Sequence, residues 1–313
     1  GTGFPVTAMP SPSPGVSSSL AWNGAGYGVV VGPSVNFARL DAEGNLIGDP
    51  TFVGNGNSSS PETSIVWTGS QYGIAWVDSG GRVRFDRFDD TGQQISPGWF
   101  LSPGPNRVVR SVDLAWTGTG YGLLLADADP QSLGNDDRVL FARFDALGVS
   151  LGPPTPLFVG NGIYSSRLAW AGDKYGAVWR WAGGRISFHR FGVDGSGGPL
   201  AFVGGLVAFD PEIVWTGTHF AISWNQSNST FLTLVDAGGA PQGPDVEIGP
   251  DPQGSRTSLS WTGSEIMAVW PSGSGEFLSR RFGGDGLPIG GVIRLAHEQT
   301  GGAAQIAWNG SDF

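Results

Sequence analysis

Cysteine is absent from the 313-residue chain. Its absence excludes a disulfide framework, a thiolate nucleophile and cysteine-based zinc sites, and leaves the compartment open. Lysine occurs once, at Lys174, and no function is read from that scarcity. Acidic residues outnumber basic ones 27 to 17, a net charge of −10. This balance opposes long-range attraction to nucleic acid or an anionic membrane, so neither is expected as a partner. No apolar run approaches the roughly 20 residues that span a bilayer, and membrane insertion is not expected. The opening segment, GTGFPVTAMPSPSPG, lacks the basic start and apolar stretch of a signal peptide and reads as mature or trimmed. His189, His219 and His297 share no metal-ligand spacing, and neither a nucleophile elbow nor a phosphate loop is present. No catalytic residue, metal ligand or cofactor is therefore assigned.

Glycine and proline are abundant, at 53 and 22 residues. Alone they would signal disorder, but 39% apolar residues and 13 tryptophans point to a turn-rich β protein instead. Most tryptophans fall in a repeat. The pattern Trp-x-Gly begins at Trp22, Trp67, Trp116, Trp170, Trp215, Trp261 and Trp308, with spacings between 45 and 54 residues. Such periods belong to propeller blades. An aromatic stands five places on (Tyr27, Tyr72, Tyr121, Tyr175, Phe220 and Phe313), with Ile266 the exception. A second tryptophan stands nine places on at Trp76, Trp179, Trp224 and Trp270.

One blade reads as four strands. A branched aliphatic two places before each tryptophan shares its strand face, and the residue between them is small. Glycine after the tryptophan permits a short hairpin to a second strand such as YGIAW. Third strands such as VRFDRFD end in turns with Asp first and Gly last, as a type I turn prefers. A weaker fourth strand, as in PTFVG or TPLFVG, leads onward. Sheets apolar on both faces need covers on both sides, and radial stacking supplies them. The fold expected is an all-β propeller of four-stranded antiparallel blades in one domain, 1–313. Seven blades are expected, one of them split or incomplete and closed by PVTAMP near the start and QIAWNGSDF at the end. Six blades with surplus ends is the alternative.

Copies such as SIVWTGSQYGIAWVDSGGRVRFDRFDDTG resemble a repeat family of secreted and surface β-propeller proteins of bacteria, and the resemblance covers the whole chain. It implies an extracellular or cell-surface propeller and brings no established activity or catalytic residues. The third strand of blade five, FLTLVDAGG, and Ile266 in blade six depart from its pattern.

Residues that break the repeat are the candidates for function. Trp99 and Trp181 lie outside the tryptophan columns and offer either local packing or a ring for a sugar to stack on. Three places before each tryptophan the residue varies: Ser19, Ser64, Asp113, Arg167, Glu212, Ser258 and Gln305. If these strands line an axis, Asp113, Arg167 and Glu212 converge on a small polar ligand or an ion; the plain alternative is strand-edge residues in solvent. The third-strand column Arg39, Arg87, Arg143, Arg190 and Arg281, with Leu234 in the remaining copy, is expected to form inter-blade ion pairs, because a partly buried guanidinium needs a partner. The insertion ADADPQSLGNDDR gathers Asp127, Asp129, Asn135, Asp136 and Asp137; calcium suits such oxygens, but the spacing matches no loop motif and an acidic surface loop is the expectation. Sequons at Asn57 and Asn225 are placed in turns.

The expected function is a non-catalytic, monomeric, extracytoplasmic propeller that presents its rim to a protein or polysaccharide. A carbohydrate-binding, lectin-like propeller with pockets between blades is the alternative, and a hydrolase or lyase acting at the central channel the remaining one.

Overall fold

The computed structural model describes residues 17–57, 62–95, 98–131, 136–251, 254, 256–272, 276–297 and 304–311. These form six sheets, each of four antiparallel strands paired in chain order. The blades span 18–55, 63–101, 108–160, 166–203, 209–250 and 258–297. No helix is long and apolar enough to cross a membrane. Blades one to three belong to one compact unit and blades four to six to another, the division falling after Asn161.

The expected turns form as the residue types require. After each first tryptophan a tight hairpin closes, as where the Thr68 amide donates to the Gln71 carbonyl at 2.9 Å. The Thr68 hydroxyl accepts from the Gln71 amide, which explains the Thr or Asn that follows the tryptophan in every blade but the fourth, where Ala171 stands. Gly69 takes a φ of 99° there, a region open to glycine at little cost. At the third-strand turns Gly44, Gly92, Gly148 and Gly239 donate to the carbonyls of Asp41, Asp89, Asp145 and Asp236 three places back. Each aspartate side chain accepts a further amide, as Asp89 Oδ1 does from Gln93 at 2.9 Å. Those bonds hold the carboxyls of Asp41, Asp89 and Asp236 below the usual range.

First strands neighbour one another within each unit, and apolar clusters fill the seams between blades. The aromatic five places after the tryptophan is the wedge. Tyr72 meets Phe37 of the preceding blade at 5.0 Å, Tyr121 meets Phe85 at 4.9 Å and Phe220 meets Phe188 at 5.2 Å. Each wedge lies on a glycine of that blade: a methyl on Gly73 would come within 2.7 Å of Tyr121, and one on Gly176 within 2.5 Å of Phe220. The residue equivalent to these glycines in blade five is Ala221, and blade six is where Ile266 replaces the aromatic. The two share one apolar cluster. A shorter wedge leaves room for a methyl.

The expectation of seven blades is corrected to six. Blades one and six each draw all four strands from consecutive chain, so no blade is split between the two ends. The seventh copy contains one strand's worth of pattern and, among the described residues 304–311, forms no strand, because a ladder needs at least one neighbouring strand to pair with. It does repeat one contact. The Ile306 amide donates to Ser258 Oγ at 3.2 Å, as the Leu114 amide donates to Ser64 Oγ at 3.0 Å. PVTAMP lies outside the described residues.

Candidate functional site

The variable column of the first strands is a series of side chains that reach the neighbouring first strand. Ser64 donates to Asp113 Oδ1 at 2.8 Å, and the Leu114 amide donates to the same oxygen at 3.0 Å. In the other unit Arg167 Nε donates to Glu212 Oε2 at 3.3 Å, while its NH1 donates to the Ser166 carbonyl at 2.7 Å. Arg167 is buried and Glu212 half-buried. The structure thus brings Arg167 and Glu212 together, and places Asp113 with Ser64.

Trp99 lies in its blade's fourth strand, half-buried, with its ring edge-on to Phe144 at 4.9 Å. Trp181 stacks on Phe202 at 6.1 Å, in the loop between the second and third strands of blade four. Phe202 is the exposed member of that pair. His189 is buried, with Nε2 at 2.9 Å from the Gly198 carbonyl, and burial holds its pKa below the ordinary value. His219 Nδ1 pairs with the Thr218 hydroxyl. The His297 side chain lies outside the described residues.

In the acidic insertion Asp127 is fully buried between two guanidiniums, at 2.7 Å from Arg107 NH2 and 2.5 Å from Arg138 NH2. Asp129 accepts the Gln131 amide and Asp136 pairs with Arg107; Asn135 lies outside the described residues. No group of three or more metal-ligating side chains gathers among the described residues. Asn225 departs from its expected turn: it is buried in the second strand of blade five and accepts from Thr230 Oγ1 at 2.8 Å.

The arginine column corrects one expectation and reveals a site. The ion pairs described for it, Arg190 with Asp173 and Arg281 with Glu265, lie within a blade, not between blades. Between blades the column acts as a plug. Arg39 donates to the Asp90 carbonyl of blade two at 3.1 Å, and a methyl on Gly92 of that turn would lie 3.3 Å from Arg39 Nε. Arg87 crosses to blade three in the same way: held at 2.9 Å by Gln71 Oε1 of its own blade, it donates to the Ala146 carbonyl of blade three at 3.5 Å, and a methyl on Gly148 would lie 2.7 Å from its Nε. Between blades five and six Leu234 lies 3.0 Å from the same point on Gly286.

The seam between blades four and five is different. Arg190 NH2 is drawn to Asp173 at 3.2 Å, in its own blade's hairpin. The nearest atoms to a methyl on Gly239, the glycine equivalent to Gly92 and Gly148, belong to Phe188 and Ala201. With the plug withdrawn, a cleft of about 320 Å³ opens there. Phe188 and Phe191 line it, with Arg190, Lys174 and the backbone of Gly192, Gly197, Gly198 and Gly238. The sequence held a signal for it. Four places after the tryptophan, Gln71 in blade two and Glu265 in blade six accept from their blade's arginine. Lys174 occupies that place in blade four and cannot accept, so the carboxylate that holds Arg190 stands one residue earlier.

No family model and no curated protein matches the chain. Solved structures do. The β-propeller domain of Cps50 (Swd1) from Myceliophteria thermophila is 12% identical, with a TM-score of 0.61 over 97% of this chain and 92% of that one. SapL1 lectin, solved in complex with α-methyl fucoside, is 12% identical, with a TM-score of 0.57 over 94% of this chain and 98% of that one. AofleA from Arthrobotrys oligospora is 9% identical, with a TM-score of 0.57 over 93% of this chain and 91% of that one. At these identities the likeness is one of fold: the chain is a β-propeller of six four-stranded blades.

Proposed function

We propose that the chain is a non-catalytic, extracytoplasmic binding propeller that takes a saccharide into the cleft between blades four and five. The observation that carries this reading is the withdrawn plug. Three seams of the same design are filled by Arg39, Arg87 and Leu234, whereas the fourth is open and carries polar groups over aromatic walls. A concave site of a few hundred Å³ with few polar groups is where small ligands bind. The complex of SapL1 with α-methyl fucoside supports the reading, as a propeller of similar fold holding a sugar.

Resealing the seam tests it. Asp173→Ser with Lys174→Gln gives blade four the Ser-Gln hairpin of blade two, which frees Arg190 to lie over Gly239 as Arg87 lies over Gly148. On a glycan array and by calorimetry the parent is expected to bind saccharide and the double variant to lose binding while its melting temperature is kept. Bound sugar is expected back unchanged after long incubation. Failure of the parent to bind any glycan at high protein concentration would remove the reading.

A protein partner is the second reading, at the other end of blade four. Tyr164 and Phe202 are exposed there, with Arg180 at 4.9 Å over the first ring and Arg185 at 5.6 Å over the second. Exposed aromatics beside arginines have the composition of interface anchors.

A further inference from the structure

Resting on that reading of the cleft, we infer that its ligand is an acidic saccharide, a hexuronate whose carboxylate is held by Lys174 and Arg190. Charge is the first argument. The cleft is lined by two cations and no carboxylate. Asp173, the one carboxylate paired to them among the described residues, has a side chain 65% exposed. An exposed pair contributes little, so exchanging Asp173 for a ligand carboxylate that is shielded by the cleft gains more than it loses. The neighbouring turn carboxylates do not compete. Asp194 Oδ1 accepts the Ser196 amide and hydroxyl, and Asp236 Oδ1 accepts the amides of Gly238 and Ala240.

The second argument is an unmet donor. Arg190 Nε is buried and has no hydrogen-bond partner among the described residues. A buried N–H left unpaired is costly, and a carboxylate entering the cleft can accept from Nε and a terminal nitrogen together, the bidentate geometry that guanidinium favours. Lys174 adds a point charge at the mouth. It is the only lysine in the chain, and it stands where blades two and six place an acceptor, Gln71 and Glu265.

Size and wall chemistry select a sugar acid over a bare anion. The cleft is at the lower end of the ligand-pocket range, enough for one pyranose ring and its carboxylate. The phenyl walls suit the apolar C–H face of such a ring.

The experiment compares methyl β-glucuronide, neutral methyl β-glucoside, glucose 6-phosphate and acetate against the full chain by calorimetry at low salt. Methyl β-glucuronide is expected to bind at least about tenfold tighter than the glucoside, a difference of about 1.4 kcal/mol. Acetate is expected to be the weakest. Lys174→Met, a change at an exposed position, is expected to reduce glucuronide affinity about five- to tenfold and leave glucoside affinity unchanged. Equal binding of glucuronide and glucoside would overturn the carboxylate inference and leave the saccharide reading standing. Preference for glucose 6-phosphate over the glucuronide would overturn it in favour of phosphate. Glucuronide binding that survives the resealing pair Asp173→Ser and Lys174→Gln would place the ligand elsewhere and overturn the site, and no binding by any probe would remove both conclusions.

Discussion

Asp86 is buried beneath the backbone of Gly98, where a methyl group would collide with its carboxylate. Burial pushes its pKa up to about 6, against the opposing pull of Arg84. The folded state therefore binds this proton more tightly than the unfolded chain does, so the associated stability is full below about pH 4 and is lost as pH rises through 6. A shift of that size corresponds to about 2–3 kcal/mol at neutral pH. Asp86→Asn is expected to raise the melting temperature at pH 7.5 and to leave it nearly unchanged at pH 4, read by circular dichroism; a lower melting point at both pH values would contradict the assignment. The wedge contacts make a second test. Gly73→Ala places a methyl against Tyr121, an overpacking that costs about 1–3 kcal/mol. Combined with Tyr121→Ile it reproduces the Ala221 and Ile266 pairing, and a double-mutant cycle is expected to return a favourable coupling of about 1 kcal/mol. Additive losses would mean that the two positions do not share one space.

Strands and turns were legible because each repeated residue answers a packing need that recurs in every blade. Trp76, Trp179, Trp224 and Trp270 are all buried, and the first-column tryptophans sit 4.6 to 4.7 Å from their own aromatic partners wherever that contact is described. What failed to read out depends on partners. Trp308 carries the first-strand part of the motif, yet motif residues make a strand only when a second strand lies beside them. The open seam is harder still, since Arg190 looks like Arg39 and Arg87 in sequence. Its difference lies in which acceptor it reaches, and that is set by the order of two residues, Asp173 and Lys174. The first strands test whether the variable column serves packing or ligand. Glu212→Ala leaves the buried Arg167 without this carboxylate, a change expected to cost about 3 kcal/mol. Saccharide affinity is expected to be unaffected. A loss of affinity without a loss of stability would move the binding site to the first strands.

At the scale of the whole molecule two fields of opposite sign act on an acidic ligand. The chain carries a net charge of −10, which repels a polyanion at a distance, while Lys174 and Arg190 attract it only at contact. Ionic strength separates the two because the screening length falls from about 30 Å at 0.01 M to about 8 Å at 0.15 M. Screening at the longer range lifts the barrier to approach, and screening of the partly exposed contact weakens the bound state. For a polyuronate the association rate is therefore expected to rise between those two salt concentrations, and the dissociation rate to rise with it. A single methyl glucuronide, with one charge to repel, is expected to show the second effect and little of the first. Stopped-flow mixing with labelled oligomers of increasing length measures both. An association rate that falls with salt at every length would mean that the two cations at the cleft govern the approach as well as the hold, and that the net charge of the chain has no part in selecting what reaches it.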